Sequence, residues 1–209
     1  MPAERLTTSA RAFLARARRR AAESAPEALL YSALELRLGI EARFHEYLDA
    51  AEEVATLKKR GWQVSQLAKH IERAFKMSDK IVSFEVLGEE GQPSRRTFLY
   101  TPVPRRARQV AERLGDYLHF TPRFTPRNEV WWQGLRDLVE EGIRGLELAT
   151  AGTLLAPPLL NKRTREGMIL AEVPDGMSFE MVKTALGQPG ETIHVRVDYH
   201  DRLPNSRTT

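Results

Sequence analysis

Arg113 and His119 lie six residues apart in the segment RLGDYLHFTP, residues 113–122, and their side chains suit catalysis on a phosphodiester. A histidine can take the proton of an RNA 2′-hydroxyl and return a proton to the leaving oxygen. An arginine can hold the phosphate and stabilise the negative charge that develops on it. No metal ion is needed for these steps, so the pair is a candidate for metal-independent RNA cleavage.

The predicted helix geometry separates this pair. On a straight helix, residues six apart differ in direction by about 120°, and His119 lies opposite the apolar stripe of its helix. The two side chains converge only if the helix distorts at Gly115 or at its end, or if a second subunit closes the site. The alternative is local: Arg113 pairs with Asp116 or Tyr117, and His119 bonds to a neighbouring helix.

A second polar group lies on residues 27–59, which helical periodicity predicts to be one long helix. Arg37 and Glu41 are four residues apart and therefore neighbours on the helix surface, and His45 continues the same line. Arg43 is expected to point away. The line falls within an apolar arc at helical spacing, formed by Leu30, Ala33, Leu34, Ile40, Phe44 and Leu48.

Charged side chains in a core-facing arc lose hydration and persist only when they are paired. Arg37, Glu41 and His45 are therefore predicted to form a buried polar network. One interpretation is a salt bridge that fixes the register of the helix. The other is a polar site at a cleft or at the seam of a dimer.

Arginines are concentrated between Gln92 and Arg127, although the formal net charge of the chain is only +4. This segment contains eight arginines but only two acidic residues, Glu112 and Asp116. One interpretation is a surface that attracts phosphates. The alternative is that the arginines form solvated faces without a ligand. The candidate contacts to nucleic acid are Arg105, Arg106, Arg108, Arg123 and Arg127.

No metal or cofactor site is predicted. Glu41 and His45 have a spacing that metal ligands use, but a ferritin-like site needs further inward carboxylates and a second such motif. The chain has no cysteine, which excludes disulfides and thiol nucleophiles and is compatible with a cytoplasmic location. No apolar run reaches about 18 residues, so no membrane association is expected.

The elements that carry these residues are predicted to be mainly helices. Apolar residues recur at helical spacing, Asn128 is a candidate N-cap, and Pro122 ends the helix before it. The Arg-rich N-terminus has the composition of some transit peptides, but its apolar spacing favours an ordinary first helix. The helices are predicted within residues 1–25 and over 27–59, 64–77, 107–118 and 128–143.

Two segments have strand periodicity instead. Residues 80–103 alternate on both sides of the turn sequence GEEGQPS and predict a β-hairpin. In the C-terminal segment, Val195, Val197 and Tyr199 alternate with charged residues, which indicates a small antiparallel sheet. So few residues bury little surface alone, so this sheet should pack on the bundle or pair across a dimer.

The predicted fold class is therefore α+β, mainly α. Residues 1–160 form a bundle of four to five helices with the hairpin inserted, and residues 161–209 form a small C-terminal β subdomain. The length of 209 residues and the 42% hydrophobic content are sufficient for one such domain with an appendage.

Two phrases in the chain resemble the HEPN superfamily. ALELRLGIEARFHEYL, followed later by AERLGDYLHFTP, is similar to the paired motifs ELR-x-x-IE and LG-x-x-LH of bacterial bundle proteins in that group. The resemblance covers about residues 10–150 and leaves out the hairpin and the C-terminal sheet. It implies a four-helix bundle that dimerises. Many HEPN proteins are RNases of toxin and phage-defence systems, with an arginine and a histidine at the dimer seam.

Arg113 and His119 match the spacing of that catalytic pair, but Leu114 departs from it. Active HEPN families usually have a polar residue, often asparagine, directly after the arginine. The resemblance therefore favours a non-catalytic, cytoplasmic homodimer that binds a protein or RNA partner in bacterial defence or stress response. The alternative is a metal-independent endoribonuclease that uses Arg113 and His119.

Overall fold

The computed structural model describes most of the chain. The described residues are 7–50, 66, 68, 69, 72, 79–87, 96–119, 128–157, 159, 160, 167, 168, 171, 172 and 194–204. The chain is mainly helical with a small antiparallel sheet, so the predicted α+β class is confirmed at that level. It divides into a helical unit, Met1–Lys76 with Val103–Thr150, and a sheet unit, Met77–Pro102 with Ala151–Thr209.

Four long helices form the described helical unit. They are α1 (Ala10–Ala21), α2 (Pro26–Ala50), α3 (Arg105–Leu118) and α4 (Glu129–Ala151). The predicted cap of α4 is confirmed, because the Asn128 side chain accepts a hydrogen bond from the Trp131 N–H at 3.0 Å. Residues 66, 68, 69 and 72 are also helical, within the predicted helix 64–77, whereas residues 51–59 of the long predicted helix lie outside the described residues.

Glycines allow the helices to approach closely. A Cβ atom on Gly39 of α2 would lie 2.6 Å from Leu146 Cδ2 and 2.9 Å from Phe13 Cβ. A Cβ atom on Gly145 of α4 would lie 2.6 Å from the Ala107 Cβ. Interiors are packed as densely as organic crystals, so these glycines set the spacing between α2 and its two neighbours and between α3 and α4.

The buried face of α2 differs from the predicted arc. Its fully buried large residues are Leu36, Ile40, Arg43, Tyr47 and Leu48. Leu34 was predicted to face the core but is 43% exposed, and Arg43 was predicted to point outwards but is fully buried. Apolar side chains occur around most of this helix, so periodicity alone did not define which face packs.

The sheet unit contains β1 (Ile81–Val86), β2 (Arg96–Tyr100), β3 (Leu159–Leu160), β4 (Gly167–Met168) and β5 (Val195–His200). β1 and β2 form the predicted antiparallel hairpin. β5 pairs antiparallel with the other side of β1, which gives the strand order β2-β1-β5. Sequence reasoning predicted a strand at β5 but not this pairing.

Candidate functional site

Arg37 and Glu41 form an ion pair on α2. Arg37 Nε donates to Glu41 Oε1 at 3.2 Å, and the two side chains are only 18% and 16% exposed. His45, one turn further along, is half-buried and makes no hydrogen bond or ion pair within the described part of the chain. The structure therefore places the first two members of the predicted network in direct contact and leaves His45 without a bond to them.

The guanidinium of Arg37 also reaches α3. A Cβ atom on Gly115 would lie 2.6 Å from Arg37 Nη1 and 3.7 Å from His119 Cδ2. The absence of a side chain at Gly115 therefore leaves room for the guanidinium, with the imidazole of His119 beside it. The contact of Arg37 with Gly115 across the bundle was missed by sequence reasoning even though Gly115 lies inside the RLGDYLH motif.

Arg113 and His119 occupy exposed positions on and after α3. The helix continues through Gly115 to Leu118, and the His119 N–H donates to the Gly115 carbonyl at 2.9 Å as a C-terminal cap. Among the described residues, Arg113 forms no hydrogen bond or ion pair, either with His119 or with the predicted local partner Asp116. The distortion at Gly115 that would bring Arg113 to His119 is not seen.

Arg43 is the centre of a buried polar network. Arg43 Nε donates to the Tyr47 hydroxyl and to the Ala149 carbonyl, both at 2.9 Å. Arg43 Nη1 donates to Glu46 Oε2 at 2.8 Å. The other oxygen of Glu46 accepts the Ala10 N–H at 2.8 Å. The network therefore joins α2 to the C-terminal turn of α4 and to the N-terminus of α1.

This network keeps Arg43 charged. Burial lowers the pKa of Arg43, but the neighbouring Tyr47 and Glu46 raise it more, so that the net pKa lies above the ordinary arginine value. A guanidinium that is never neutral cannot transfer protons, and this one is fully buried. Arg43 is thus structural. The spacing of Arg43, Glu46 and Tyr47, three and four residues apart, was the sequence signal for the network.

The predicted phosphate-binding arginines are already engaged where the structure describes them. Arg106 pairs with Glu141, and Arg108 Nη1 lies 2.7 Å from Glu72 Oε1. Arg105 also has an interaction within the chain. The carboxylates compensate much of the local positive charge. The remaining two predicted contacts, Arg123 and Arg127, lie outside the described residues.

An exposed apolar surface runs along α2. Tyr31, Leu34 and Leu38, called here the outer stripe, are 37–55% exposed and lie three and four residues apart on one helix face. At one end, the Arg20 guanidinium lies 5.8 Å from the centroid of the Tyr31 ring. At the other, helical spacing places Glu41 after Leu38. Apolar side chains exposed on consecutive turns of one helix face make the outer stripe a candidate interaction site.

Within the described ranges, no group of three or more histidine, aspartate or glutamate side chains has the arrangement of a metal site. No helix in this part of the chain is long and apolar enough to cross a membrane. Comparison with protein families, curated proteins and solved structures found no match. The site is therefore defined by its own geometry, within a mainly helical α+β protein.

Proposed function

We propose that this chain is a non-catalytic, HEPN-like module that dimerises and binds a protein partner through the outer stripe of α2. The observation that supports the proposal best is the exposure of Tyr31, Leu34 and Leu38 on consecutive turns of one helix. Removing apolar surface from water is favourable by about 25 cal/mol per Å². A partner that covers these three side chains gains this free energy without any change in the fold.

The chemistry of the stripe favours a protein over RNA. Binding to a phosphate backbone requires arginine or lysine side chains that are free to neutralise phosphates and displace the counterions of the nucleic acid. The two cations beside the stripe, Arg37 and Arg20, are paired with Glu41 and Glu23. Arg106 and Arg108 also have carboxylate partners. An apolar ridge with mixed charges at its edge fits an apolar groove, or a second amphipathic helix, on a protein.

A differential recovery experiment tests this proposal. Tagged chain is expressed in its native cell, and co-purifying proteins are quantified for the wild type and for Leu34→Glu. We expect the specific partner to be at least about tenfold depleted with Leu34→Glu, because a charge would be buried in an apolar contact. Nuclease treatment should not release this partner.

Val130→Glu is the matched control for this experiment. Val130 is 79% exposed in the first turn of α4, on a different helix from the outer stripe, and the variant receives the same carboxylate. It should retain the partner at the wild-type level, and circular dichroism should show both variants to be folded. Equal recovery with Leu34→Glu and the wild type would contradict the proposal.

A metal-independent endoribonuclease is the second candidate, and one observation favours it. Arg37 Nη1 and His119 Cδ2 lie 2.6 and 3.7 Å from the position that a Cβ atom on Gly115 would take, so Arg37 rather than Arg113 shares this position with the histidine. His119 would act as acid and base and Arg37 would stabilise the phosphate charge. The bond between Arg37 and Glu41 counts against this role because it occupies the guanidinium.

Incubation of RNA with purified protein in EDTA separates the two candidates. We expect no cleavage by the wild type. Cleavage that His119→Ala abolishes would establish the second candidate. A comparison of Arg37→Gln with Arg113→Gln would then show which arginine is needed for cleavage. A gel shift at graded salt tests binding separately, because a complex held by phosphates weakens steeply as salt rises.

A further inference from the structure

β5 is an edge strand whose outer side is unpaired within the described part of the chain. It lies at one end of the strand order β2-β1-β5, and the side chains of Val195–Tyr199 are all exposed. An edge of this length presents free backbone donors and acceptors to any strand that approaches it. Natural sheets usually protect such edges, so the exposed edge of β5 requires an explanation.

The hydrogen bonding to β1 defines which backbone groups of β5 face outwards. The Leu87 N–H donates to the His194 carbonyl at 2.9 Å, so residue 194 points its backbone groups towards β1. In an antiparallel pair the direction alternates with each residue. Val195, Val197 and Tyr199 therefore direct their N–H and C=O groups to the free edge.

The apolar face of the sheet also continues onto β5 without cover. Val197 lies in register with Phe84 of β1, which in turn faces Phe98 of β2. The two phenylalanines are buried, whereas Val195, Val197 and Tyr199 on the same face are 38–62% exposed. A strand added at this edge would extend the apolar row as well as the hydrogen bonds.

We infer that β5 pairs antiparallel with β5 of a second copy of this chain, across a two-fold axis at Val197. The inference rests on the proposed function in one respect, that the chain dimerises. In this register Val197 faces Val197 of the second copy, and Val195 faces its Tyr199. Each of these outward-facing pairs exchanges two backbone hydrogen bonds, and one sheet continues through both copies.

The charged residues of β5 favour this register and favour a second copy of the same strand as the partner. With the axis at Val197, Arg196 lies opposite Asp198 of the second copy, and the symmetry forms that pair twice. An axis at Arg196 or at Asp198 would instead oppose two identical charges, which destabilises a sheet. Asp198 has no ion pair within the described ranges, and Arg196 has only a 3.4 Å contact with Glu85, so both can take part.

Sedimentation velocity over a range of concentrations tests the interface with a charge exchange. The wild type should be a dimer. Arg196→Asp and Asp198→Arg should each weaken dimerisation at least about tenfold, because each places like charges opposite one another twice. The double variant, Arg196→Asp with Asp198→Arg, should restore the dimer. Arg202→Asp, an exposed site beyond the strand with the same change of charge, is the control and should behave as the wild type.

Val197→Pro gives an independent test that does not depend on charge. Its N–H faces the free edge, so proline in both copies removes two hydrogen bonds of the proposed dimer but none of the bonds to β1, and edge strands tolerate proline. The variant should be a folded monomer. A dimer that persists in Val197→Pro and in both single charge variants would overturn this interface while leaving dimerisation intact.

The remaining outcomes are also decisive. A wild type that is monomeric at all concentrations would overturn both this inference and the dimer of the proposed function, while partner binding through the outer stripe would be judged by its own experiment. A double variant that stays monomeric would overturn the register.

Discussion

Arg37 and Arg43 lie less than two turns apart on α2, yet their surroundings differ completely. Arg43 is fully buried and bonded to the side chains of Glu46 and Tyr47 and to the Ala149 carbonyl. Arg37 keeps contact with water and has one ion pair, with Glu41, beside the outer stripe. The comparison separates a closed face of α2, which packs inside the bundle, from an open face, the exposed outer stripe, at whose edge the Arg37 guanidinium lies against Gly115 of α3.

Substitution of Arg43 should give the largest effect on stability. Arg43→Ala removes the shared donor of the buried Ala149 carbonyl and the partly exposed Glu46, and loss of one member of a buried pair costs on the order of 3–5 kcal/mol. Urea unfolding measures this loss. Arg43→Lys keeps the charge but not the forked donors and should lose less. A loss below about 1 kcal/mol for Arg43→Ala would contradict a structural role.

Two glycines of the helices compare rigid and adaptable packing with the same substitution. Gly39→Ala forces a methyl group against Leu146 and Phe13, and overpacking of this kind costs about 1–3 kcal/mol. Gly115→Ala meets only the movable end of Arg37, and alanine gains up to about 1 kcal/mol of helix propensity. We expect Gly115→Ala to remain within about 1 kcal/mol of the wild type in thermal unfolding. Equal losses of stability for Gly39→Ala and Gly115→Ala would show that the two sites are packed with the same rigidity.

Arg37→Gln should have a small effect. Exposed and partly exposed ion pairs contribute about 0–1 kcal/mol, because water solvates the separated charges. A double-mutant cycle with Glu41→Gln measures the coupling between the two side chains in chemical denaturation. A coupling as large as the loss for Arg43→Ala would show that Arg37 is also part of the closed face.

Breaking the exposed pair Lys80–Asp201 in the sheet unit should have the smallest effect, which is a change in the pKa of Asp201. The hydrogen bond and charge of Lys80 lower the pKa of Asp201 below its ordinary value. A carboxylate with a lowered pKa in the folded state adds stability above its unfolded pKa, which is lost as the pH falls through the folded pKa. Lys80→Gln should return the pKa of Asp201, followed by carboxyl NMR, towards its ordinary value. An unchanged pKa would contradict the pairing.

Local signals in the sequence predicted the elements well. The cap at Asn128 and the alternation on both sides of the hairpin turn each depend on residues close together in the chain. These features were found where the sequence placed them. Local rules were sufficient because helix and strand periodicity report which residues share a face.

The long-range features could not be predicted in the same way. α2 carries leucines on several faces, so its periodicity fitted more than one buried face, and Leu34 and Arg43 were assigned to the wrong sides. The pairing of β5 with β1 joins residues more than 100 positions apart, and the approach of Arg37 to Gly115 depends on how α2 and α3 pack. Such contacts are decided by tertiary packing.

The most direct test of the two faces of α2 compares two leucines by urea unfolding and partner recovery. Leu36 is fully buried and Leu34 belongs to the outer stripe. We predict that Leu36→Ala loses about 2–5 kcal/mol of unfolding free energy. Leu34→Ala should remain within about 0.5 kcal/mol of the wild type and yet recover less partner. A loss for Leu34→Ala as large as that for Leu36→Ala, or full retention of the partner, would contradict the account.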